Sequence, residues 1–105
     1  MSVVSVPATA AATLEPWQPV DLVTANETIV RLARLHGAFD WHRHEEDELF
    51  LCWEGAFRID QAGAEPVELR VGDLYVVPAG VDHRPVADQP AVTLLIERPE
   101  TEQRG

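Results

Sequence analysis

The sequence predicts an all-β fold, a jelly roll or small barrel built from about eight short strands. Turn signals recur roughly every eight to twelve residues, and the segments between them are rich in Val, Leu, Ile, Phe and Trp. No long segment has the apolar spacing of a helix. An immunoglobulin-like sandwich is disfavoured because the chain has one cysteine, Cys52, and so lacks that fold's cysteine pair.

The predicted strands follow one another with short turns between them. We predict strands over residues 28–36, 39–44, 47–54, 56–60, 66–70, 74–77, 83–87 and 91–98. Turn-forming residues separate them at 61–64, 71–73, 78–80 and 88–90. The first strand is ambiguous, because Ile29, Leu32 and Ala33 also lie at helical spacing.

The chain length suits one domain with one core. It has 105 residues, of which 46% are hydrophobic. We expect a single domain over residues 1–105, with the barrel core at about 28–98 and residues 1–15 as a flexible or edge-lying tail. The tail carries no Lys or Arg before Pro7 interrupts its apolar run, so we do not expect a signal peptide.

Charge and cysteine content restrict the partners. The chain has 8 Lys and Arg against 18 Asp and Glu, a formal net charge of -10, which repels nucleic-acid phosphates and anionic membrane surfaces. No window approaches the roughly 20 apolar residues of a membrane helix. With a single cysteine no intrachain disulfide can form, which indicates a cytoplasmic protein. We therefore expect neither nucleic acid nor a membrane as a partner.

A cluster of metal-ligand residue types lies between residues 42 and 48. On a strand, His42 and His44 would point to one side, and Glu48 would return to that side at an even offset. His83, after the turn at 78–80, is the candidate fourth ligand. Imidazole and carboxylate together suit one divalent Fe, Mn, Ni, Co or Zn ion with a position left for substrate.

Two other interpretations of this cluster stay open at this point. The two histidines could be a solvent-facing pair on a strand, and His44 with Glu48 could be a surface pair on a helix. Neither interpretation explains why Gly37 and Gly55 bracket the cluster. Both glycines stand where a chain that turns sharply between strands needs a positive φ.

These residues resemble the two motifs of the cupin superfamily. The first motif is commonly written G-x5-H-x-H-x3,4-E-x6-G, and the second G-x5-P-x-G-x2-H-x3-N. The first is matched by Gly37, His42, His44, Glu48 and Gly55, and the second by Gly72, Pro78, Gly80 and His83. Two positions depart from the pattern: the first spacing is one residue short, and Ala87 replaces the asparagine, which is not a metal ligand in the family.

The resemblance implies a jelly-roll cupin barrel that holds one divalent transition metal through His42, His44, Glu48 and His83. The stretch from 39 to 50 is especially similar to small conserved-barrel cupins of the mannose-6-phosphate-isomerase-like or RmlC-like kind. Cupins of this kind include dioxygenases, isomerases and lyases. The resemblance thus implies a metal-dependent enzyme acting on a small organic molecule, with a non-catalytic ligand-binding or metal-sensing module as the alternative. It assigns no catalytic residue.

Strand alternation predicts which side chains face the pocket. Phe50 and Cys52 share the inner face with Glu48, whereas Leu49, Leu51 and Trp53 face outwards. An apolar outer face needs cover, which favours a homodimer. The alternative cover is the segment around Trp17 and Leu22.

The remaining candidates for chemistry are weaker. Arg34 and His36 would share a face of the first strand, and His36 could then act as a general acid or base. Arg43 and Arg84 each neighbour an inward ligand and should point away from the metal. Cys52 lacks a nearby base or cation and is expected to be a small buried hydrophobe.

Overall fold

A computed structural model describes residues 2–101, and it confirms the predicted all-β class. One short helix precedes seven antiparallel strands. The elements are α1 (Val6–Ala12), β1 (Val20–Ala25), β2 (Thr28–Ala38), β3 (Glu48–Glu54), β4 (Ala56–Gln61), β5 (Ala64–Arg70), β6 (Leu74–Val77) and β7 (His83–Glu97). The strands hydrogen-bond in the order β1-β2-β7-β3-β6, and β4 pairs with both β5 and β7.

Strand β7 joins the two halves of the barrel. Its first residues pair with β4, from Gln61 opposite His83 onwards, and its later residues pair with β2 and β3. The sequence predicted two strands here with a turn at 88–90, whereas the structure has one strand of 15 residues. Between the pairs Leu35–Ala91 and Gly37–Ala87, β7 contributes three residues against one from β2. The predicted turn is therefore an irregularity inside a strand, where the pairing shifts.

Gly55 fits closely against this irregular stretch. Its φ is +74°, a left-handed value that favours glycine. A Cβ atom there would lie 3.0 Å from the carbonyl oxygen of Pro90. The glycine that ends the first motif is thus required both by the turn between β3 and β4 and by the approach of β7.

The predicted strand over residues 39–44 is not formed. This segment has only one isolated bridge, between His42 and His83, and a hydrogen bond from the Phe39 amide to the Pro85 carbonyl. The two histidines of the first motif therefore lie on a loop, whereas Glu48 begins β3. The ambiguous segment at residues 28–36 is strand, and it pairs with β1, a strand that was not predicted.

Helix α1 occupies part of the segment that was expected to be a tail. Ser5 caps it by accepting a hydrogen bond from the Ala8 amide, and Ala10 is buried against the outside of the sheet. The Arg34 guanidinium donates to the carbonyls of Thr13 and Ala10 at 2.7 and 2.9 Å. A seven-residue helix depends on such tertiary contacts, which explains why local sequence did not reveal it.

The predicted alternation along β3 is observed. Phe50 and Cys52 are buried in the inner core, Leu49 and Leu51 are half-buried on the other face, and Trp53 is exposed. The outer face is partly covered, because α1 and Leu22 pack against the cluster that includes Leu51. Within residues 2–101 no helix is long and apolar enough to cross a membrane.

Candidate metal centre

Four predicted residues, His42, His44, Glu48 and His83, come together at one end of the barrel. One ligand-type atom from each lies within 4.8 Å of the others. His44, Glu48 and His83 are buried, and His42 is half-buried. His42 is thus the least buried of the four.

Backbone hydrogen bonds, rather than strand alternation, place the histidines. The amide of His42 donates to the carbonyl of His83 at 3.0 Å, and the amide of His83 donates back at 2.8 Å. The Gly80 amide donates to the carbonyl of His44 at 2.9 Å. Glu48 and His83 are the first residues of β3 and β7. Backbone hydrogen bonds therefore join the first motif directly to the second.

Two of the imidazoles are oriented by carbonyl groups behind them. Nδ1 of His42 lies 2.8 Å from the Asp40 carbonyl, and Nδ1 of His83 lies 2.9 Å from the Val81 carbonyl. Because only a protonated Nδ1 can donate to a carbonyl, the neutral ring in each case keeps its free lone pair on Nε2. This arrangement is typical of metal-binding histidines.

The atoms of the site fit a single metal ion. Nε2 of His83 and Nε2 of His44 lie 3.2 and 3.6 Å from Oε1 of Glu48. Ligand bonds of about 2.0–2.2 Å place two atoms on one ion at most about 4.4 Å apart, so shifts of a few tenths of an ångström suffice. Nε2 of His44 is buried with no hydrogen-bond partner among the described residues. A buried nitrogen of this kind is the donor that a metal would satisfy.

The surroundings favour the neutral, metal-binding form of the histidines. Burial, with a smaller contribution from His42 and His83, lowers the pKa of His44 to about 4. Burial also lowers the pKa of His83, against the opposing effects of the Val81 carbonyl and Asp82. Protons therefore compete weakly with a metal for these two rings at neutral pH.

A second buried carboxyl group, Glu97, lies beside the site and was missed by the sequence analysis. Its side chain is fully buried and hydrogen-bonds to that of Glu48. Burial and the adjacent Glu48 raise the pKa of Glu97 to about 8, although Arg31 acts in the opposite direction. The only signal in the sequence was an acidic residue in an apolar run, and its meaning depends on the pairing of β7 with β3.

An aromatic pair stands next to His42. The rings of Trp17 and Phe39 are 4.8 Å apart, and Phe39 makes an edge contact with His42 at 5.4 Å. Trp17 has a φ of +63° and donates its amide to the carbonyl of Arg34. The sequence analysis considered Trp17 as cover for the outer face, but it packs against the inner core.

The other candidates for pocket residues lie elsewhere. Arg34 holds helix α1, and His36 is exposed at the register shift of β2. Cys52 is buried in the core, and burial raises the pKa of its thiol, which disfavours the reactive thiolate. Arg43 and Arg84, expected to point away from the metal, form ion pairs with Asp82 and Asp60 respectively.

A cavity of about 700 Å³ opens beside His44. The loop before β3 and the turn before β7 form its walls, including Glu45, Glu46 and Gly80. Asp47 fastens these two segments by accepting a hydrogen bond from the Ala79 amide at 2.9 Å. The acidic run that precedes β3 thus contributes both to the wall of the cavity and to the joint between the motifs.

An antiparallel barrel with three histidines and one glutamate converging at one end is the architecture of the cupins. A family model described as "Cupin domain" matches residues 29–97, and the chain belongs to this family. It is 37% identical to a Bacillus subtilis (strain 168) protein, the uncharacterized protein YdbB, over 78 residues, which are 73% of this chain and 69% of that one.

Solved structures show the same fold. A cupin-2 domain containing protein from Shewanella frigidimarina NCIMB 400 is 29% identical, with a TM-score of 0.87 over 91% of this chain and 94% of that one. Hydroquinone 1,2-dioxygenase from Sphingomonas sp. TTNP3, with 4-hydroxybenzoate bound, is 22% identical, with a TM-score of 0.74 over 85% of this chain and 70% of that one. The latter likeness is one of fold alone.

Proposed function

We propose that this cupin is a mononuclear metal-dependent enzyme that acts on a small organic molecule. The observation that carries the proposal is the convergence of His42, His44, Glu48 and His83, with Nε2 of His44 buried and without a hydrogen bond among the described residues. A divalent Fe, Mn, Ni, Co or Zn ion suits this donor set. When bound, such an ion supplies Lewis-acid polarisation of a carbonyl or enolate, or activation of O2 in the case of Fe(II).

Groups of the protein itself would hold the imidazoles in place and orient the substrate. The carbonyls of Asp40 and Val81 fix two of the imidazoles, so the donor set is organised before any ligand arrives. Phe39 and Trp17 form an apolar wall beside His42, the ligand nearest to solvent. This wall would orient an apolar or planar part of the substrate and displace water from it.

The placement of the arginines favours a substrate of low charge. Arg34 donates to carbonyls at the end of α1, and Arg58 pairs with Asp60 at 3.0 Å. Both side chains are therefore already engaged outside the site. We therefore propose a modest, partly apolar organic substrate of the dioxygenase, isomerase or lyase type.

A non-catalytic ligand-binding or metal-sensing barrel is the second candidate. His36 was considered as an acid or base and Cys52 as a nucleophile. His36 is exposed and Cys52 lies in the core, so neither belongs to the donor set, which favours a protein without catalysis. Oxygen consumption and metabolite conversion by the metal-loaded protein separate the candidates. Turnover supports the enzyme, whereas saturable ligand binding without turnover supports the binding module.

Metal content is the first test of the proposal. We expect elemental analysis to give close to one transition metal per chain for the native protein, and almost none for His42→Ala or His83→Ala. His36→Ala is the matched control, because His36 is exposed and outside the donor set. Absence of metal from the native protein after reconstitution, or retention by both ligand variants, would contradict the proposed site.

We also propose a homodimer in the cytoplasm, the location indicated by the single cysteine. Leu74 and Val76 are exposed on β6, at the edge of the sheet, next to their β3 partners Leu51 and Leu49. Light scattering is expected to give twice the chain mass of 11.6 kDa. Leu74→Lys should shift the mass to that of the monomer, whereas Val71→Lys, equally exposed on a turn, should not. A monomeric native protein would contradict this proposal.

A further inference from the structure

We propose that Arg31 and Glu97 form a buried support, outside the donor set, that positions the carboxylate of Glu48 for the metal. Arg31 and Glu97 are positioning residues, because they act through Glu48. The inference rests on the proposed metal site and goes beyond it. It assigns a role in metal binding to a residue of β2 and to the last residue of β7.

Strand register places these three side chains on one face. Leu49 pairs with Ile96 and Phe50 pairs with Leu95, so Glu48 lies opposite Glu97. Leu95 also pairs with Arg31 on the other side of β7, which puts Arg31 two residue pairs from Glu97 and on the same face. Their side chains face the interior on three adjacent strands, since Phe50 and Leu95 belong to the inner core.

Hydrogen bonds connect the three groups in a line. The carboxyl groups of Glu48 and Glu97 hydrogen-bond to each other. Nη1 of Arg31 lies 2.6 Å from Oε2 of Glu97. The Arg31 and Glu97 side chains are 10% and 0% exposed, so solvent screens this pair little.

The far side of Arg31 is fixed as well. Its Nε donates to Asp21 on β1 at 2.9 Å. Its two terminal nitrogens donate to the carbonyls of Thr101 and Pro99 at 3.3 and 3.0 Å. Four bonds from three directions hold the guanidinium in place. Arg31 can therefore hold Glu97, and Glu97 in turn can hold the carboxyl group of Glu48.

Stability alone does not account for this arrangement. A buried pair of charged or strongly polar groups is often no more stable than apolar residues of the same volume, because both groups lose their hydration. A ligand carboxylate that can rotate away from the ion, by contrast, loses affinity for it. Outer-shell partners of metal ligands typically change metal affinity by about 10–100-fold when removed. A buried pair that stands directly beside Glu48 fits the second role.

The test measures the affinity for Co(II), in competition with a chromophoric chelator. We expect Glu97→Leu to weaken Co(II) binding about 10–100-fold, the range for outer-shell partners. Glu97→Gln should keep affinity within about twofold, because its amide can donate to Glu48 and accept from Arg31. Arg34→Met is the matched control, since it removes the half-buried arginine of the same strand that holds α1 instead.

Repeating Glu97→Leu in a Glu48→Gln background separates positioning from general damage. If Glu97 acts through Glu48, its loss changes the weaker remaining affinity by no more than about twofold in that background. The Co(II) absorption bands should shift for Glu97→Leu only when Glu48 is present. Circular dichroism checks the fold, and the double variant Arg31→Met/Glu97→Leu replaces the whole pair if Glu97→Leu does not fold.

The outcomes distinguish this inference from the proposed function. No Co(II) binding by the native protein overturns the metal site itself. Tight native binding that Glu97→Leu leaves unchanged, or that it weakens equally with and without Glu48, overturns only the role of Arg31 and Glu97. A loss that requires Glu48 and is rescued by Glu97→Gln supports it.

Discussion

Glu48→Gln is expected to weaken metal binding more than 100-fold while it stabilises the metal-free protein. The loss exceeds the roughly 10–100-fold range of outer-shell partners because Glu48 would itself be a ligand. The gain in stability has a separate cause. The carboxyl groups of Glu48 and Glu97 lie together in the protein interior, and the Arg31 guanidinium bonds to Glu97 there. Replacing the Glu48 carboxyl group by a neutral amide removes one ionisable group from the interior and keeps the shape of the side chain.

The expected gain is about 1–3 kcal/mol in the free energy of unfolding, the range for an imperfectly compensated buried polar group. For a domain of this size it corresponds to a rise in Tm of several degrees, at about 4–8 °C per kcal/mol. Thermal and urea unfolding of the chelator-treated proteins measure the stability, and titration with Co(II) measures the affinity.

Asp60→Asn is the matched control with the opposite expected sign. Asp60 is also a largely buried carboxylate, but Arg84 and Arg58 each donate to it at 3.0 Å and lower its pKa against the effect of burial. Its replacement should therefore destabilise the protein and leave metal affinity unchanged. A Glu48→Gln protein that is less stable without metal than the native chain would show that Glu48 contributes more to folding than we infer.

The stability of the metal-free protein is expected to fall as the pH rises from 6.5 to 8. The pKa of Glu97 is about 8 in the folded protein, against an ordinary value of 4.5, mainly because of burial and then because of Glu48. Between these two values the folded protein holds a proton that the unfolded chain has released. Stability is therefore lost with rising pH, by on the order of 2 kcal/mol over this interval at about 1.4 kcal/mol per pH unit.

His44 produces the opposite slope at lower pH. Its pKa is about 4 in the folded protein, against 6.5 ordinarily, again chiefly through burial. Between these values the unfolded chain takes up a proton that the folded protein does not, so stability is lost as the pH falls. Below 6.5 this effect opposes that of Glu97. The two slopes are about equal in size, so the stability of the metal-free protein should change little between about pH 4.5 and 6.5 and fall above that interval.

Urea unfolding at a series of pH values tests both slopes. Glu97→Gln should remove the loss of stability between pH 6.5 and 8, because the amide does not titrate. His44→Asn should remove the opposing effect, so that stability rises as the pH falls from 6.5 towards 4.5, and it should leave the alkaline side unchanged. An alkaline slope that persists in Glu97→Gln would assign it to a different group.

The sequence was informative wherever a local pattern reflects a local constraint. The alternation along β3 correctly predicted that Phe50 and Cys52 face the core and that Trp53 does not. The spacing of the two motifs correctly indicated the cupin family. The need for glycine at position 55 was also predictable, because a positive φ restricts the residue type there whatever surrounds it.

Local patterns failed where a distant segment decides the conformation. Residues 39–44 have the composition of a strand, but their backbone bonds go to the segment around His83 and form one bridge. Residues 88–90 have the composition of a turn, but β7 continues through them because the residues before and after them both pair with β2. Helix α1 exists because Arg34 and the outer face of the sheet hold it, and neither is visible in residues 6–12 themselves.

The sequence by itself determined the fold class, the family and the four residues that come together as a candidate donor set. These depend on residue type and spacing, which the chain displays directly. Only the tertiary structure decided that His42 is the least buried of the four, and that Glu97 and Arg31 stand behind Glu48. The reason is that β2, β3 and β7 are far apart in the chain, and their side chains meet only through the strand register, which no local pattern specifies.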